Sequence, residues 1–248
     1  MSDPTRELDT HLLGLKLPWL REHYQELAKH AVAKGLGHLD YLALLIGGET
    51  QQRQERAVQR RLQQAGFPYP KSLEQYRFSH PRKIDRMKVQ HLFTLDFVRQ
   101  SANVTFLGGC GMGKTHLAIA LGREACTAGY RVLFTTAIDL VNTLAAAQAA
   151  GRLDQQLRSY RKPALLILDE LGYLPIDRHG ADLLFQVISA RYERASTIIT
   201  TNRVFKDWPG IFNGDATLTS AVLDRLLHHH ELILIEGDSY RMTTPHAP

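Results

Sequence analysis

The feature that most limits the fold is a glycine-rich run of eight residues, GGCGMGKT, from Gly108 to Thr115. It satisfies the pattern G-x-x-x-x-G-K-[ST] and lies between an apolar run, VTFL, and a stretch with helical periodicity. Glycines let successive backbone N–H groups surround a phosphate at the N-terminus of the following helix. The run therefore predicts a phosphate-binding loop within a strand–loop–helix unit, which is typical of parallel α/β sheets.

Short apolar runs alternate with helical stretches from Asn103 onward, which predicts an α/β fold with a five-stranded parallel sheet. The predicted strands are VTFL, RVLFT, ALLIL, TIITT and ELILI, beginning at Val104, Arg131, Ala164, Thr197 and Glu231. The predicted helices between them cover about 114–128, 137–150, 153–161, 180–194 and 217–228. The spacing of Thr136 and Asp139 indicates a capping box at the start of the second of these helices.

The residues before this region favour helices and predict a small N-terminal domain over residues 1–70. One helix carries Leu20, Tyr24, Leu27 and Ala31 at helical spacing, and a longer one runs from His38 to Ala65, where GFPYP ends it. Residues 71–100 are expected to connect this domain to the α/β domain of residues 101–248.

Positive charge is concentrated in the N-terminal part of the chain. Residues 1–100 hold 16 Lys and Arg against 11 Asp and Glu, whereas residues 101–248 hold 14 of each. Arg53, Arg56 and Arg60 recur at the spacing of one helix face, with Arg61 beside them. Such a stripe is either a solvated face or a contact for phosphates. We favour double-stranded DNA, bound largely without sequence preference, because residues 49–90 hold ten basic and four acidic residues.

Two further observations restrict the class of protein. Cys110 and Cys126 have neither paired spacing nor metal-ligand neighbours, so we expect reduced thiols and a cytoplasmic location. The N-terminal residues MSDPTRELDT lack the pattern of a signal peptide, and no apolar run approaches the roughly 20 residues needed to cross a bilayer. Neither export nor membrane insertion is expected.

The second motif is LLILDE, which ends in Asp169 and Glu170. A buried strand would deliver both carboxylates to the edge of a parallel sheet where ligands bind. If the loop binds ATP, Lys114 would reach its β and γ phosphates, Thr115 and Asp169 would hold Mg²⁺, and Glu170 would polarise the attacking water. The competing interpretation is an ordinary buried strand that runs into a polar turn.

Two more residues are candidates for the same chemistry. Asn202 follows the fourth predicted strand, where its amide could hold the water or the γ-phosphate, although it could also be a polar strand exit. Arg225 lies on the last predicted helix, where an arginine is ordinarily a surface residue. In multimeric phosphate-loop ATPases, however, a cation supplied by a neighbouring subunit stabilises the transition state.

Taken together, these segments resemble the AAA+ superfamily and, within it, the IstB-like transposition helpers, which are close to the DnaC helicase loaders. The resemblance is carried by GKTHLAIALGREA, DELGYLP, ISARYERASTIITTNR, VLDRLLHH and GDSYR. It implies nucleotide contacts from Gly108, Gly109, Cys110, Gly111, Met112, Gly113, Lys114, Thr115 and His116. It also implies a sensor role for Asn202 and an arginine-finger role for Arg225.

By this resemblance, the chain is expected to be an ATPase that is stimulated by DNA, forms an ATP-dependent oligomer and assists a partner transposase. No C-terminal lid is expected after the fifth strand. Three alternatives stay open: a DnaC-like helicase loader, a phosphate-loop kinase acting on a small molecule, and a DNA-binding protein in which ATP is only a structural ligand.

Overall fold

The computed structural model describes residues 4–79, 83–237 and 239. Contacts within the chain divide it into two compact units, with the boundary between Arg60 and Arg61. Three helices begin in the first unit: α1 (Pro4–Gly14), α2 (Pro18–Lys34) and α3 (His38–Ala65), whose last residues belong to the second unit. Helices α2 and α3 confirm the sequence prediction, whereas α1 was not predicted. Within the described residues, no helix is both long and apolar enough to cross a membrane.

The first unit has its own small apolar core, formed by Leu12, Leu20, Tyr24 and Leu45. Gly48 of α3 allows the ring of Trp19 to pack closely, since a Cβ atom at Gly48 would lie 1.9 Å from that ring. Leu20 and Tyr24 are both buried and lie four residues apart on α2, so their spacing marks the buried face of this helix, as expected from helical periodicity.

Glu49 is a buried carboxylate that joins helices of the first unit. One of its oxygens accepts a hydrogen bond from the backbone N–H of Leu20 at 3.1 Å, and the other accepts from Arg53 Nε at 2.9 Å. Burial raises the pKa of Glu49, but these hydrogen bonds outweigh burial and hold the pKa below its usual value. The carboxylate satisfies an N–H in the first turn of α2 that has no partner within that helix.

The second unit is built on a six-stranded sheet. Its strands are β1 (Lys83–Ile84), β2 (Asn103–Gly108), β3 (Val132–Thr136), β4 (Leu165–Leu171), β5 (Ser196–Thr201) and β6 (His230–Glu236). Their order is β1-β6-β2-β5-β4-β3, and all neighbours are parallel except β1 and β6. The five predicted parallel strands are thus confirmed, and the predicted strand count is corrected by β1, a two-residue antiparallel strand at the edge.

Helices cover both faces of this sheet. They are α4 (Arg86–Leu92), α5 (Asp96–Arg99), α6 (Lys114–Thr127), α7 (Ala137–Ala149), α8 (Leu153–Arg161), α9 (Arg178–Arg191) and α10 (Ala216–Leu227), with a 3₁₀ helix at Phe205–Gly210. The predicted cap of α7 is present, because the N–H of Asp139 donates to Thr136 Oγ1 at 3.1 Å. The predicted α/β class is therefore confirmed in its helices as well as its strands.

Alternate residues of β4 face two separate apolar cores. Leu165 and Ile167 belong to the core shared with α6, while Leu166 and Leu168 belong to the core under α7, α9 and α10.

Residues 71–100, expected to be a connecting segment, contribute buried side chains such as Phe97 to the first of these cores. This stretch is part of the packed second unit.

A buried arginine fastens one end of the sheet. The guanidinium of Arg191 donates hydrogen bonds to the backbone carbonyls of Tyr160, Pro163 and Ser196, the first at 2.7 Å and the second at 2.9 Å. Burial lowers the pKa of Arg191 to about 10, so the side chain stays charged at neutral pH. One side chain at the end of α9 thereby satisfies carbonyls that precede β4 and begin β5.

We expect Arg191→Met to destabilise the second unit, because it removes a charge but leaves three buried carbonyls without a donor. Each unsatisfied group costs about 1 to 3 kcal/mol, so the free energy of unfolding should fall by about 3 kcal/mol or more. Chemical denaturation followed by circular dichroism measures the change.

The matched control is Arg194→Met, which alters an exposed arginine three residues away. Its effect should stay within about 0.5 kcal/mol, as is usual for surface positions. Equal stability of the two variants would contradict a fastening role for Arg191.

Candidate nucleotide-binding site

The glycine-rich run forms a loop between β2 and α6, at the carboxyl-terminal edge of the sheet. Gly111 and Gly113 have φ angles of 75° and 82°, a left-handed region that side chains with a Cβ atom rarely adopt. Space is also limited, because a Cβ atom at Gly113 would lie 2.7 Å from the ring of Tyr76. The loop thus leads directly into the N-terminus of α6, where backbone N–H groups favour an anion.

Lys114 crosses back over this loop. Its ammonium group donates hydrogen bonds to the carbonyl oxygens of Gly108 at 2.9 Å and Gly109 at 2.6 Å. The same group lies 5.8 Å from the centre of the Tyr173 ring. A lysine that is otherwise buried therefore presents its charge at the mouth of the loop.

Asp169 connects the loop helix with two neighbouring strands. Its carboxylate oxygens accept from Thr115 Oγ1 at 2.9 and 3.2 Å, and one of them also accepts from Thr200 Oγ1. Asp169 is buried at the end of β4, Thr115 is in the first turn of α6, and Thr200 lies on β5. Three polar side chains from three elements therefore meet beside the phosphate-binding loop.

Strand β4 has a β-bulge at Asp169 and Glu170. Leu168 pairs with Ile199 and Leu171 pairs with Thr201, so β4 has one extra residue across this interval. Glu170 has a φ angle of 60°, and its N–H donates to Thr200 Oγ1 at 3.0 Å. The bulge lets Asp169 stay buried while the exposed Glu170 lines the cavity above the loop.

That cavity has a volume of about 610 Å³. It is lined by Tyr69, Lys71, Gln75, Tyr76, Arg77, Cys110, Gly111, Met112, Gly113, Lys114, Thr115, His116, Glu170 and Tyr173. The predicted residues from Cys110 to His116 are therefore brought together with Glu170. Gly108 and Gly109 do not line the cavity, and their carbonyls accept from Lys114 instead.

Sequence reasoning missed one wall of the cavity, which residues 69–77 form. Tyr76 donates to the carbonyl of Met112 at 3.2 Å and packs edge-on against His116, with 5.4 Å between ring centres. Burial raises the pKa of Tyr76 to about 12, so its hydroxyl remains a donor at neutral pH. No helical or strand periodicity marks this segment, but its aromatic and basic residues after a helix-ending GFPYP are a usable signal.

His116 lies between this wall and the loop helix. Its Nε2 atom is 2.8 Å from the carbonyl oxygen of Ser72, and burial lowers its pKa. A neutral imidazole that donates to this carbonyl anchors the wall to α6. His116 therefore lines the cavity and also has a structural partner that the sequence did not reveal, while its contact with a nucleotide stays a prediction.

Cys110 and Tyr173 complete the opening of the cavity. The thiol of Cys110 lies 3.8 Å from the hydroxyl of Tyr173, and neither Cys110 nor Cys126 forms a disulfide. Burial raises the pKa of Tyr173, and its hydrogen bond with Cys110 adds to this effect. Ser239, from the GDSYR segment, lies against Gly111, whereas Asp238, Tyr240 and Arg241 fall outside the described residues.

Two predicted residues do not line this cavity. Asn202 follows β5 immediately and is exposed. Arg225 lies on α10, where its guanidinium packs 4.8 Å from the centre of the Phe185 ring and donates to the carbonyl of Ala221 at 2.9 Å. Neither residue is among those that surround the loop within one chain.

The four arginines predicted to contact DNA differ in their surroundings. Arg53 donates to Glu49 and to the carbonyl of Lys16, and Arg61 donates to the carbonyl of Cys126. Arg56 and Arg60 are exposed, and neither forms an ion pair with a described residue. Two arginines of the stripe are therefore hydrogen-bonded within the chain, and the other two expose their side chains to solvent.

Solved structures of related fold agree with this architecture. A crystal structure of the DnaC helicase loader is 25% identical, with a TM-score of 0.54, over 66% of this chain and 96% of that chain. The DnaA protein from Aquifex aeolicus with bound AMPPCP has a TM-score of 0.58 at 22% identity, covering 70% of this chain and 52% of that chain. These likenesses confirm the predicted AAA+ phosphate-loop fold.

Sequence comparison defines the family. The ATP-binding protein of insertion sequence IS21 from Pseudomonas aeruginosa is 44% identical, over 95% of this chain and 89% of its own length. The corresponding protein of insertion sequence IS5376 from Geobacillus stearothermophilus is 40% identical, over 92% and 90%. The family model for the IstB-like ATP binding protein matches residues 10–247. The chain therefore belongs to the family of IstB-like ATP binding proteins, as its motifs predicted.

Proposed function

We propose that this chain is an ATPase that assembles on duplex DNA and assists a partner transposase, with hydrolysis timing release or handover. The observation that carries the proposal is the meeting of Thr115, Asp169 and Thr200 beside the phosphate-binding loop, with Lys114 and Glu170 in the same cavity. This arrangement provides the groups that phosphoryl transfer requires, namely an anion cradle, a cation site and a carboxylate near the attacking water.

The residues fit both ATP and Mg²⁺. The loop and Lys114 supply backbone N–H groups and an ammonium for the phosphates, while the aromatic wall of Tyr69 and Tyr76 provides an apolar surface next to them. Thr115 and Asp169 present hard oxygen ligands within 3.2 Å of each other, which suits Mg²⁺. The bound ion would neutralise charge that develops on the phosphates.

Glu170 is our candidate for orienting the attacking water. Its carboxylate lines the cavity, and the bulge fixes its backbone through the hydrogen bond to Thr200. The buried Asp169, already hydrogen-bonded to two hydroxyls, is better placed to hold the ion. Asn202, at the next strand end, is proposed to hold the same water or the γ-phosphate.

Arg225 is proposed to act on the cavity of a neighbouring subunit. Within one chain it packs on Phe185 away from the lining residues, which is compatible with a contribution in trans. An arginine supplied in this way accelerates hydrolysis by about 10³ to 10⁵ in related systems. The proposal therefore includes an ATP-dependent oligomer whose active sites are shared between subunits.

Contact with DNA is proposed for the arginines of α3. Arg56 and Arg60 are exposed cations on one helix face and form no ion pair with the residues that the structure describes, so they can contact phosphates. Arg53 keeps a half-exposed side chain beside Glu49 and is a secondary candidate. Phosphate contacts of this kind bind duplex DNA with little sequence preference.

The transposase partner is proposed because the similar proteins of IS21 and IS5376 are named as ATP-binding proteins of insertion sequences. The likeness to the DnaC helicase loader favours a second candidate, delivery of a replicative helicase. An affinity purification with tagged full-length chain distinguishes the two. Recovery of a transposase with duplex DNA is expected, and recovery of a replicative helicase instead would replace our proposal.

We expect steady-state ATP hydrolysis to rise with duplex DNA and to be lost in both Glu170→Gln and Arg225→Ala. The first variant removes the base-like carboxylate, and the second removes the cation from a neighbour, so each should lower kcat by at least about 100-fold. Both should still bind a fluorescent ATP analogue, since the loop and Lys114 are unchanged.

Mixing the two inactive variants tests whether the sites are shared. A subunit with Arg225→Ala still carries Glu170, and its Glu170→Gln neighbour still carries Arg225. Random mixing would restore about a quarter of the interfaces, so partial activity should return. A mixture that stays inactive, or an Arg225→Ala variant with full activity, would point to a self-contained active site.

We expect Arg56→Gln/Arg60→Gln to weaken binding to duplexes of unrelated sequence by similar factors. Removing two phosphate contacts should lower the slope of log affinity against log salt by about 2. Fluorescence anisotropy of labelled duplex over a salt series measures both quantities.

The control Arg21→Gln/Lys29→Gln removes two exposed cations from α2 of the same unit. It should leave the salt slope nearly unchanged. If both double variants lose the same affinity, the effect is one of net charge, and α3 is not a specific contact surface.

A further inference from the structure

Residues 101–248 hold equal numbers of basic and acidic residues, yet several of their cations lie together at one end of the sheet. A concave surface that encloses about 330 Å³ is lined by the buried Arg191 and by four exposed cations, Arg158, Arg161, Lys162 and Arg194. Only two alanines, Ala190 and Ala195, complete the lining, so no carboxylate contributes to it. We call Arg158, Arg161, Lys162 and Arg194 the basic edge.

The position of the basic edge follows from the topology. Lys162 shortly precedes β4 and Arg194 shortly precedes β5, so both lie at the amino-terminal edge of the sheet. The phosphate-binding loop and Asp169 lie at the carboxyl-terminal edge. With seven residues in β4 and about 3.3 Å per residue, the two edges are roughly 20 Å apart.

Nothing within the described residues neutralises these cations. No ion pair involves any member of the basic edge. Asp154, one helical turn before Arg158, is not within ion-pair distance of it, and the carboxylate of Glu193 lies 3.4 Å from His228 instead. Arg191 donates its hydrogen bonds to backbone carbonyls and to the hydroxyl of Thr197, which are neutral groups, so it adds a positive charge behind the surface.

The dipole of α8 explains only part of the cluster. Arg158 and Arg161 stand in the last turn of that helix, where basic residues are favourable because the terminus carries about half a negative charge. Lys162 follows the helix, and Arg191 and Arg194 come from another part of the chain. Several unpaired cations around one concave surface create a positive potential that attracts an extended anion.

We propose that the basic edge is a second binding surface for the phosphate backbone of duplex DNA, located on the ATPase unit itself. The inference rests on the proposed DNA binding and adds a site that the arginines of α3 do not provide. Flexible, exposed arginine and lysine side chains reach phosphates without reading bases, so this surface would bind duplexes of any sequence. A neighbouring exposed cation, Arg131, precedes β3 and donates to the carbonyl of Lys162 at 3.2 Å.

The experiment uses the full chain with Arg161→Gln/Arg194→Gln, which removes two exposed cations of the basic edge. The matched control is Arg178→Gln/Lys206→Gln, which removes two exposed cations from the same unit near the carboxyl-terminal ends of β4 and β5. Fluorescence anisotropy with labelled duplex, and with a single strand of the same length, is measured over a salt series. Binding of a fluorescent ATP analogue serves as the test of folding.

We expect the basic-edge variant to lose roughly 10-fold or more in duplex affinity and about 2 from the salt slope. The control should lose much less, and both variants should bind the ATP analogue as the wild type does. Unchanged duplex affinity in the basic-edge variant, equal losses in both variants, or a loss confined to the single strand would overturn the inference.

The same titration separates this inference from the proposed function. A wild type that binds no duplex would refute DNA binding by the whole chain. If Arg56→Gln/Arg60→Gln lowers the duplex affinity relative to the wild type but the basic-edge variant does not, the proposed function stands and only the second surface is refuted.

Discussion

The hydrogen bonds of Asp169 hold the candidate site together. They join the first turn of α6 to the ends of β4 and β5, so the loop, the proposed cation ligands and Glu170 share one rigid frame. A buried carboxylate is costly unless it is paired or hydrogen-bonded, and here two hydroxyls satisfy it. The bulge that follows depends on the same frame, because Thr200 contacts both Asp169 and the N–H of Glu170. Small errors in any of the three elements would therefore displace both carboxylates.

Much of this frame could be predicted from the sequence, for identifiable reasons. The five parallel strands are continuous apolar runs, and both the loop and the Thr136 cap of α7 depend on residues within a few positions of each other. Local patterns of this kind specify local structure. The strand β1 escaped prediction because two residues, Lys83 and Ile84, carry no periodicity and pair with a strand about 150 residues later in the chain.

The limits of prediction at the site have the same origin. The aromatic and basic composition of residues 69–77 marks the segment, but it does not indicate that Tyr76 packs on the phosphate-binding loop, since its partners Met112 and Gly113 lie far along the chain. The stripe of arginines on α3 was predicted from spacing alone, but Arg53 and Arg61 have backbone partners that spacing does not reveal. Helical periodicity places side chains on a face, whereas tertiary contacts decide which of them are available for a ligand.

The same reasoning explains why net charge along the sequence does not reveal the cations of the basic edge. Charges sum to zero over residues 101–248, yet the fold gathers Arg158, Lys162 and Arg194 at one edge because β4 and β5 both begin there. The hydrogen bonds of Arg191 fix the backbone on which those side chains stand. Strands β4 and β5 therefore link the two edges directly, with carboxylate and hydroxyl groups beside the nucleotide at one end and cations at the other. If the proposed DNA binding at the amino-terminal edge is correct, the bound polyanion would lie next to the same two strands that position Asp169 and Thr200.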